Sequence, residues 1–340
     1  VSLFRFLPLC FATLFTSFFQ KGEQRLHTID GFAQGTDYSL RYYADRELVS
    51  KAQIDSILEK IDVSMSLYKP QSLINQFNGS EKGLRVDAGF RAVIRKSMEI
   101  FAATDGRFDI TVAPLVQLWG FGPVPIDRFP DSAQVLETLK QVGMKKLQLK
   151  GNMLRKSDPL VRIDLNGIAQ GFSVDVLAAF LRSEGIQSYM VEIGGEVVVK
   201  GNKPDGSGYR IGIEGPPPEP VASEMSKVQP FRHVVELSSG AITTSGNFNK
   251  FLKYKKGKIS HLIDPKTGYP LDNPMISVTV YAKDAITADG YDNALMAMDL
   301  DEAMTFVAKR KDLEAYFIYR KPDGSLRDTL TSGFKKLLVN

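Results

Sequence analysis

The stretch "VRIDLNGIAQGFSVDVLAAFLRSEG" (residues 161–185) sets the fold class. It opens on alternating apolar residues, which predict a strand, and passes through a turn holding Gly167. It then takes up helical spacing from about residue 170 to residue 184. "SYMVEIGGEVVVKG" and "GYRIGIEGP" read as consecutive strands separated by glycine turns. Upstream, "GTDYSLRYYA" alternates like a strand. "ELVSKAQIDSILEKIDVSMSLY" places Val49, Ile54, Ile57, Leu58 and Ile61 on one face of an amphipathic helix. A second helix runs from Asp87 and stops at Gly106, and a third begins at a cap on Asp131 or Ser132 and stops at Gly143. "KKLQLKGNMLRKS" predicts a hairpin around Gly151-Asn152.

Downstream, "FRHVVELSSGAITTSGNF", "KISHLIDP" and "MISVTVYA" predict strands, "ITADGYDNALMAMDLDEAMTFVAKR" a helix and "LEAYFIYRKPDG" a closing strand. "PPPEP" (residues 216–220) opens a surface loop. Without a regular βαβ beat, the reading is α+β, with mixed or antiparallel sheets flanked by helices.

Composition excludes several function classes. Hydrophobic residues make up 43% of the 340 and charged residues 24%, an ordinary globular balance with enough length for a large core. The net charge of +4 comes from interspersed signs, with no basic run carrying aromatics, so nucleic acid is not suggested. A mildly basic surface suits an anionic small molecule. Cys10 is the one cysteine of this sequence, which leaves no intrachain disulfide and no cysteine metal cluster. Arg5 precedes an apolar run over residues 6–19 that turns polar at Gln20-Lys21. The run is short for a membrane span and fits the apolar core of an export signal. "LPLC" matches a lipoprotein box poorly, and an N-terminal core helix is the alternative. The division is therefore residues 1–25 as export signal or N-terminal anchor, and residues 26–340 as one domain.

Three stretches carry candidate chemistry. In "TADGYDNALMAM", Asp289 and Asn293 lie four apart and project from one helix face, offering oxygens of the kind Mg2+ prefers. The same residues also suit a helix cap. In "DLNGIAQG", Gly167 and Gly171 allow close backbone approach of an anion or metal, or close helix packing. In "SHLIDPKTGYP", His261 sits at a strand end before a turn stiffened by Asp264-Pro265 and opened by Gly268. It reads as a functional imidazole or as one bonded to backbone. Trp119, Phe108 and Phe121 in "DGRFDITVAPLVQLWGFG" suit either a flat heterocycle or the core.

The order of these pieces resembles the ApbE family, the FAD:protein FMN transferases. The matching stretches are "MSLYKPQSLINQFN", "GRFDITVAPLVQLWGFG", "DLNGIAQGFSVD", "VEIGGEVVVKG", "ITTSGNFNKF", "HLIDPKTGYP" and "TADGYDNALMAM", which span roughly residues 35–298. The resemblance implies an ApbE-like fold and Mg2+-dependent transfer of the FMN half of FAD to a threonine hydroxyl of an acceptor protein, with AMP released. It implies a metal site at the Gly167 carbonyl, Asp289 and Asn293, and flavin contacts at Tyr68, Arg107, Phe108, Asp109, Asp164, Gln170 and Ile263. It places His261 beside the diphosphate, so that His261 and Asp289 are the implied catalytic residues.

The sequence departs from the family at Asn293, where threonine is usual, at Gln170, where Lys or Glu is frequent, and at Gln34, where methionine is usual. The acceptors implied resemble subunits of membrane redox pumps, and the location implied is the periplasmic side, with association to the inner membrane through the N-terminal segment. Two further readings stand beside transfer: hydrolysis of FAD to FMN and AMP, and a non-catalytic extracytoplasmic flavin-binding protein.

Overall fold

The computed structural model describes residues 23–216, 231–247, 251–254 and 257–339. The apolar run at residues 6–19 and all but the first residue of the "PPPEP" loop lie outside these. The chain opens with a hairpin of β1 (Arg25–Ala33) and β2 (Thr36–Ala44). Its two-residue turn, Gln34-Gly35, holds both residues at positive φ (55° and 78°), the turn whose twist matches paired strands. Helix α1 (Lys51–Met65) comes next, with the Gln53 side chain returning to the Ser50 N–H. It buries Ile54, Leu58, Ile61 and Met65, spaced by three and four.

After it lie α2 (Leu73–Gly79), capped by Ser72, β3 (Gly83–Arg85) and α3 (Ala88–Ala103), capped by Asp87. A short 3-10 turn leads to α4 (Ala113–Leu118), and α5 (Ser132–Leu139) takes Asp131 as its cap. β4 (Leu147–Lys150) and β5 (Met153–Lys156) form the expected hairpin, with β3 alongside. Helix α6 (Ala169–Ser183) precedes β6 (Ser188–Ile193) and β7 (Glu196–Lys200).

The remaining strands are β8 (Tyr209–Glu214), β9 (Phe231–Leu237), β10 (Ser239–Gly246), β11 (Phe251–Tyr254), β12 (Gly257–Ser260) and β13 (Met275–Ala282). Helices α7 (Ala285–Met296) and α8 (Leu300–Ala308), strands β14 (Leu313–Arg320) and β15 (Leu326–Leu330), and helix α9 (Ser332–Lys335) complete the chain.

Eight strands form one sheet in the order β1-β2-β6-β7-β10-β13-β14-β15, which is also chain order. Every ladder among the described residues is antiparallel. One face carries the helices. There α1 and α6 close an apolar cluster with Leu40, Tyr42, Tyr189 and Val191, and α3, α7 and α8 close another with Val278, Val280 and Phe317. The opposite face, with Val197, Val199, Ile242 and Tyr316, is covered by the β8–β9 hairpin and α9.

Two expectations fail for identifiable reasons. Residues 161–165 join no ladder: the Asn78 side chain accepts from Ile163 N–H (2.8 Å) and donates to Ile163 C=O (2.9 Å), taking the place of a neighbouring strand. The single helix expected from residue 286 onward is two, because the Asp299 carboxylate accepts from the Glu302 N–H and starts α8 afresh.

Candidate active site at the crossing of two helices

The segment leading into α6 is held mainly by side chains. Besides Asn78, the buried Lys156 donates through Nζ to Val161 C=O (2.8 Å), Pro159 C=O (3.1 Å) and Asn78 C=O (3.3 Å). Burial pushes its pKa down, and Arg162 adds to this. Asp164 N–H donates to Ile110 C=O (2.8 Å), joining this segment to the one that carries Asp109. The chain then turns through Gly167 and enters α6.

Helices α6 and α7 meet at van der Waals limits. A Cβ on Gly171 would lie 2.5 Å from the Ala285 carbonyl oxygen and 2.7 Å from the Asp289 Cβ, so only glycine fits. The approach lets Gly171 N–H donate to Asp289 Oδ2 (2.8 Å). One turn earlier, the Asn293 amide nitrogen donates to the Gly167 carbonyl (3.3 Å). The same nitrogen lies 3.0 Å from Asp289 C=O, 3.4 Å from Asp289 Oδ1 and 2.9 Å from Asp292 Oδ1. Ser245 Oγ on β10 donates to Asn293 Oδ1 (3.1 Å). The three residues expected to hold a metal are thus brought together, although Gly167 and Asn293 are 126 positions apart.

The electrostatics are those of a site short of positive charge. Burial raises the Asp289 pKa to about 7, opposed by the Gly171 N–H and reinforced by Asp175. Asp292 is raised well above the carboxylate range by burial and then by Asp289. No cationic side chain stands among the groups acting on either. Instead, an electropositive NH2 group sits among the oxygens of Gly167, Asp289 and Asp292. Turning the Asn293 amide about its last bond would place Oδ1 in that ring and offer NH2 to Ser245 Oγ. The donor set, carboxylate plus carbonyl plus amide oxygen, fits a hard cation that keeps places for a substrate's oxygens. Among the described residues no cluster of three His, Cys, Asp or Glu side chains offers an alternative metal site.

The other expected residues distribute around this crossing. Asp164 is half-buried, and burial lifts its pKa to about 6 against the Asn166 N–H. Tyr68 is 67% exposed and feels the Asp164 charge. Gln170 stands in the first turn of α6, where its amide reaches within 3.1 Å of a Cβ built on Gly194. Gln34, in the hairpin turn, donates to Ser173 Oγ (2.8 Å) on α6.

Arg107, Phe108 and Asp109 each make contacts internal to the fold. Arg107 binds Glu302 (2.8 Å) and Ala297 C=O (3.1 Å), and Phe108 joins the main apolar cluster. Asp109 accepts from the Thr111 side chain (2.5 Å) and the Thr111 and Met144 N–H groups (2.8 and 3.0 Å).

His261 directly succeeds β12, as expected from the sequence. Its ring meets Phe121 edge-on, with centroids 6.3 Å apart. The turn beyond it is locked: Asp264 accepts through its side chain from Lys266 N–H (2.8 Å) and Thr267 Oγ1 (3.0 Å), Gly268 takes φ 79°, and the Trp119 indole donates to Gly268 C=O (2.8 Å). Ile263 packs under it with Leu115, Trp119 and Val135.

Asp292, Ser245 and Asp175 are not singled out by the sequence, although each contacts or acts on the implied metal ligands. For Asp175 a signal exists, because it lies four residues after Gly171 on the same face of α6.

Comparison with known proteins bears on all of this. The ApbE family model matches residues 34–317. The FAD:protein FMN transferase of Vibrio cholerae serotype O1 is 35% identical, over 94% of this chain and 94% of that protein. The protein of the same name from Haemophilus influenzae is 33% identical over 93% and 92%. Among solved structures, the flavin transferase ApbE from Vibrio cholerae superposes with a TM-score of 0.82 at 34% identity, covering 93% of this chain and all of that one. The apo flavinyl transferase ApbE of Pseudomonas stutzeri superposes with a TM-score of 0.81 at 30% identity, over 92% and 97%.

Proposed function

The chain belongs to the ApbE family, and on that premise we propose that it transfers the FMN moiety of FAD to a threonine hydroxyl of an acceptor protein, with Mg2+ at the crossing of α6 and α7. The threonine oxygen forms a bond to the FMN-side phosphorus, the bond to the AMP phosphate breaks, and AMP leaves. The observation that supports this reading best is the meeting of the Gly167 carbonyl and the Asp289 and Asp292 carboxylates around the Asn293 amide, with no cationic side chain among the groups acting on either carboxylate. Bound there, Mg2+ would supply neutralisation of the diphosphate charge.

This chain's own residues do the rest. The Gly171 N–H fixes one oxygen of Asp289 and leaves the other toward the ring. His261, carried on a turn braced by Trp119, accepts the threonine proton or steadies charge on the phosphate. Exposed Tyr68 and the half-buried Asp164 offer an aromatic face and a carboxylate to the flavin. The acceptor is of the redox-pump subunit type, and the apolar run at residues 6–19 suits delivery to the periplasmic side, with association to the inner membrane through that segment.

The test is incubation with FAD, Mg2+ and a threonine-bearing acceptor peptide, read by mass spectrometry and by nucleotide release. An FMN-peptide ester with stoichiometric AMP is the expected result. AMP and free FMN without adduct would make the protein a hydrolase, and neither product would leave a flavin-binding protein. Fractionation of cells expressing the full chain checks the location, and protein confined to the cytoplasm would refute it.

A further inference from the structure

The contacts of α7 with α6 and with the turn before it repeat every four residues. Gly167 meets Asn293, Gly171 meets Asp289, and Asp175 meets Ala285 and Ile286. Along α6 and the turn that enters it the numbers rise by four while along α7 they fall by four, so the three contacts form rungs between antiparallel segments. The first two rungs are the implied metal site. The third lies outside it and is the most strongly bonded. Asp175 Oδ1 accepts from Ala285 N–H and Oδ2 from Ile286 N–H, both at 2.9 Å. A helix leaves its first N–H groups without partners of its own, and here the cap Asp284 takes only the one on Thr287 (3.1 Å). The two before it are held by a carboxylate of the neighbouring helix, in charge-assisted bonds that suit the positive end of a helix.

We propose that Asp175 is a positioning residue for the metal site, which sets the axial register of α7 against α6 and thereby holds Asp289 opposite Gly171 and Asn293 opposite Gly167. The proposal rests on the metal reading given above. Of the three rungs, this one alone holds α7 by its backbone, whereas the other two end on the Asp289 and Asn293 side chains, whose torsions can follow a shift of the helix. The Gly171 contact limits how closely the helices approach, because a Cβ there would strike Ala285 and Asp289, but a glycine face permits sliding. A slide of one residue is about 1.5 Å. That is enough to lengthen and skew the Gly171 N–H bond to Asp289 Oδ2 and to shift the Asn293 amide against the Gly167 carbonyl. Asp175 contacts neither FAD nor metal in this scheme; it acts through the helix.

The experiment compares Mg2+ binding in three variants with that in the full-length wild type. Mg2+ is titrated into the FAD-loaded protein by calorimetry, and melting temperature is recorded beside it. Asp175→Ala removes both acceptors, and Asp175→Asn leaves one. Glu314→Ala is a matched control, since Glu314 holds the start of α9 in the same way, accepting from Gly333 N–H (3.1 Å) and Phe334 N–H (3.2 Å), far along the chain from the crossing. Loss of a residue that orients metal ligands weakens metal binding by about 10- to 100-fold.

The expected result is a rise of that size in the Mg2+ half-saturation for Asp175→Ala and a smaller rise for Asp175→Asn. Glu314→Ala should melt earlier with its half-saturation unchanged. Asp175→Ala melting earlier with a half-saturation within about two-fold of wild type would reduce Asp175 to a stability residue and overturn the proposal. Should Asp175→Ala not fold, Asp175→Asn decides on the same criterion. Wild type that binds no Mg2+ in the FAD complex would sink the metal reading itself. Faster amide exchange at Ala285 and Ile286 in Asp175→Asn would then mark a helix clamp without a metal to serve.

Discussion

Replacing Gly171 by alanine tests the helix crossing at its tightest point. The new methyl would sit 2.5 Å from the Ala285 oxygen, 2.7 Å from the Asp289 Cβ and 2.8 Å from the Ala285 carbonyl carbon. Two of the three are backbone atoms, which no side-chain rotation can clear. Relief to ordinary contact distances requires the helices to part by roughly 0.8 Å, an overpacking strain of about 1–3 kcal/mol. The same movement stretches the Gly171 N–H to Asp289 bond, now 2.8 Å, beyond hydrogen-bond range. A buried carboxylate that loses its donor costs a further ~1–3 kcal/mol. Alanine's better helix propensity returns up to about 1 kcal/mol.

The net expectation is a loss of about 2–4 kcal/mol, together with weaker FAD binding in Mg2+. In melting temperature that is on the order of 3–6 °C for a chain of this size. Thermal melts and a flavin fluorescence titration with and without Mg2+ measure both effects. Gly79→Ala serves as control, because a Cβ there meets nothing within 4 Å, and it should be neutral or slightly stabilising. A Gly171→Ala protein as stable and as active as wild type would refute the close approach and everything built on it.

Other perturbations give separable outcomes. Asp289→Ala should abolish transfer, whereas Asn293→Thr should preserve or improve it; both are read in the FAD and acceptor-peptide assay over a range of Mg2+. His261→Ala should leave FAD affinity within a few-fold and slow single-turnover transfer by about 10²–10⁴-fold. A normal single-turnover rate would end the catalytic role. The pH dependence comes from Asp289, raised to about 7 in the fold from an ordinary value of 3.8. The folded protein holds this proton more tightly than the unfolded chain does, so the metal-free protein loses stability as pH rises toward and through 7. Mg2+ needs the ionised form, so its affinity should weaken as pH falls below about 7, by up to roughly tenfold per unit for one displaced proton. Melting curves without metal, and Mg2+ titrations at pH 6 and pH 8, should therefore move in opposite directions.

How much of this is legible in the sequence depends on how local each signal is. The helix start at Asp87, the cap at Asp131 or Ser132, the apolar stripe of α1 and the hairpin at Gly151-Asn152 are set by neighbours in the chain, and the sequence shows them; the fold takes Asp131 as the cap. Residues 161–165 read as a strand because their alternation is real. Their partner is one asparagine side chain 85 residues earlier, and periodicity carries no trace of that. Strand β1 escapes the sequence reading because its segment lies against the expected end of the leader. At the site, Gly167, Asp289 and Asn293 are reached through motif order, and the fold puts them side by side. Asp292 and Ser245 escape notice because their part in the cluster exists only once β10 and α7 are packed. The direction of the Asn293 amide, with nitrogen toward the oxygens, is likewise a property of the packed cluster.

Chain order and sheet order coincide, yet the seam between β2 and β6 is closed across residues 45–187. Loop-closure entropy grows by only about 0.6 kcal/mol per doubling of length. Going from a two-residue hairpin turn to a loop of about 140 residues is some six doublings, or ~4 kcal/mol against the seam. The side chains it buries, among them Leu40, Tyr42, Tyr189 and Val191, outweigh that cost once the whole intervening unit is in place. During folding, however, β1–β2 can pair at once while β6 waits. Until the seam closes, β2 and β6 each present an open row of backbone donors and acceptors, the kind of edge on which unfinished chains join one another. Aggregation of this protein during refolding should therefore track the closing of that single seam.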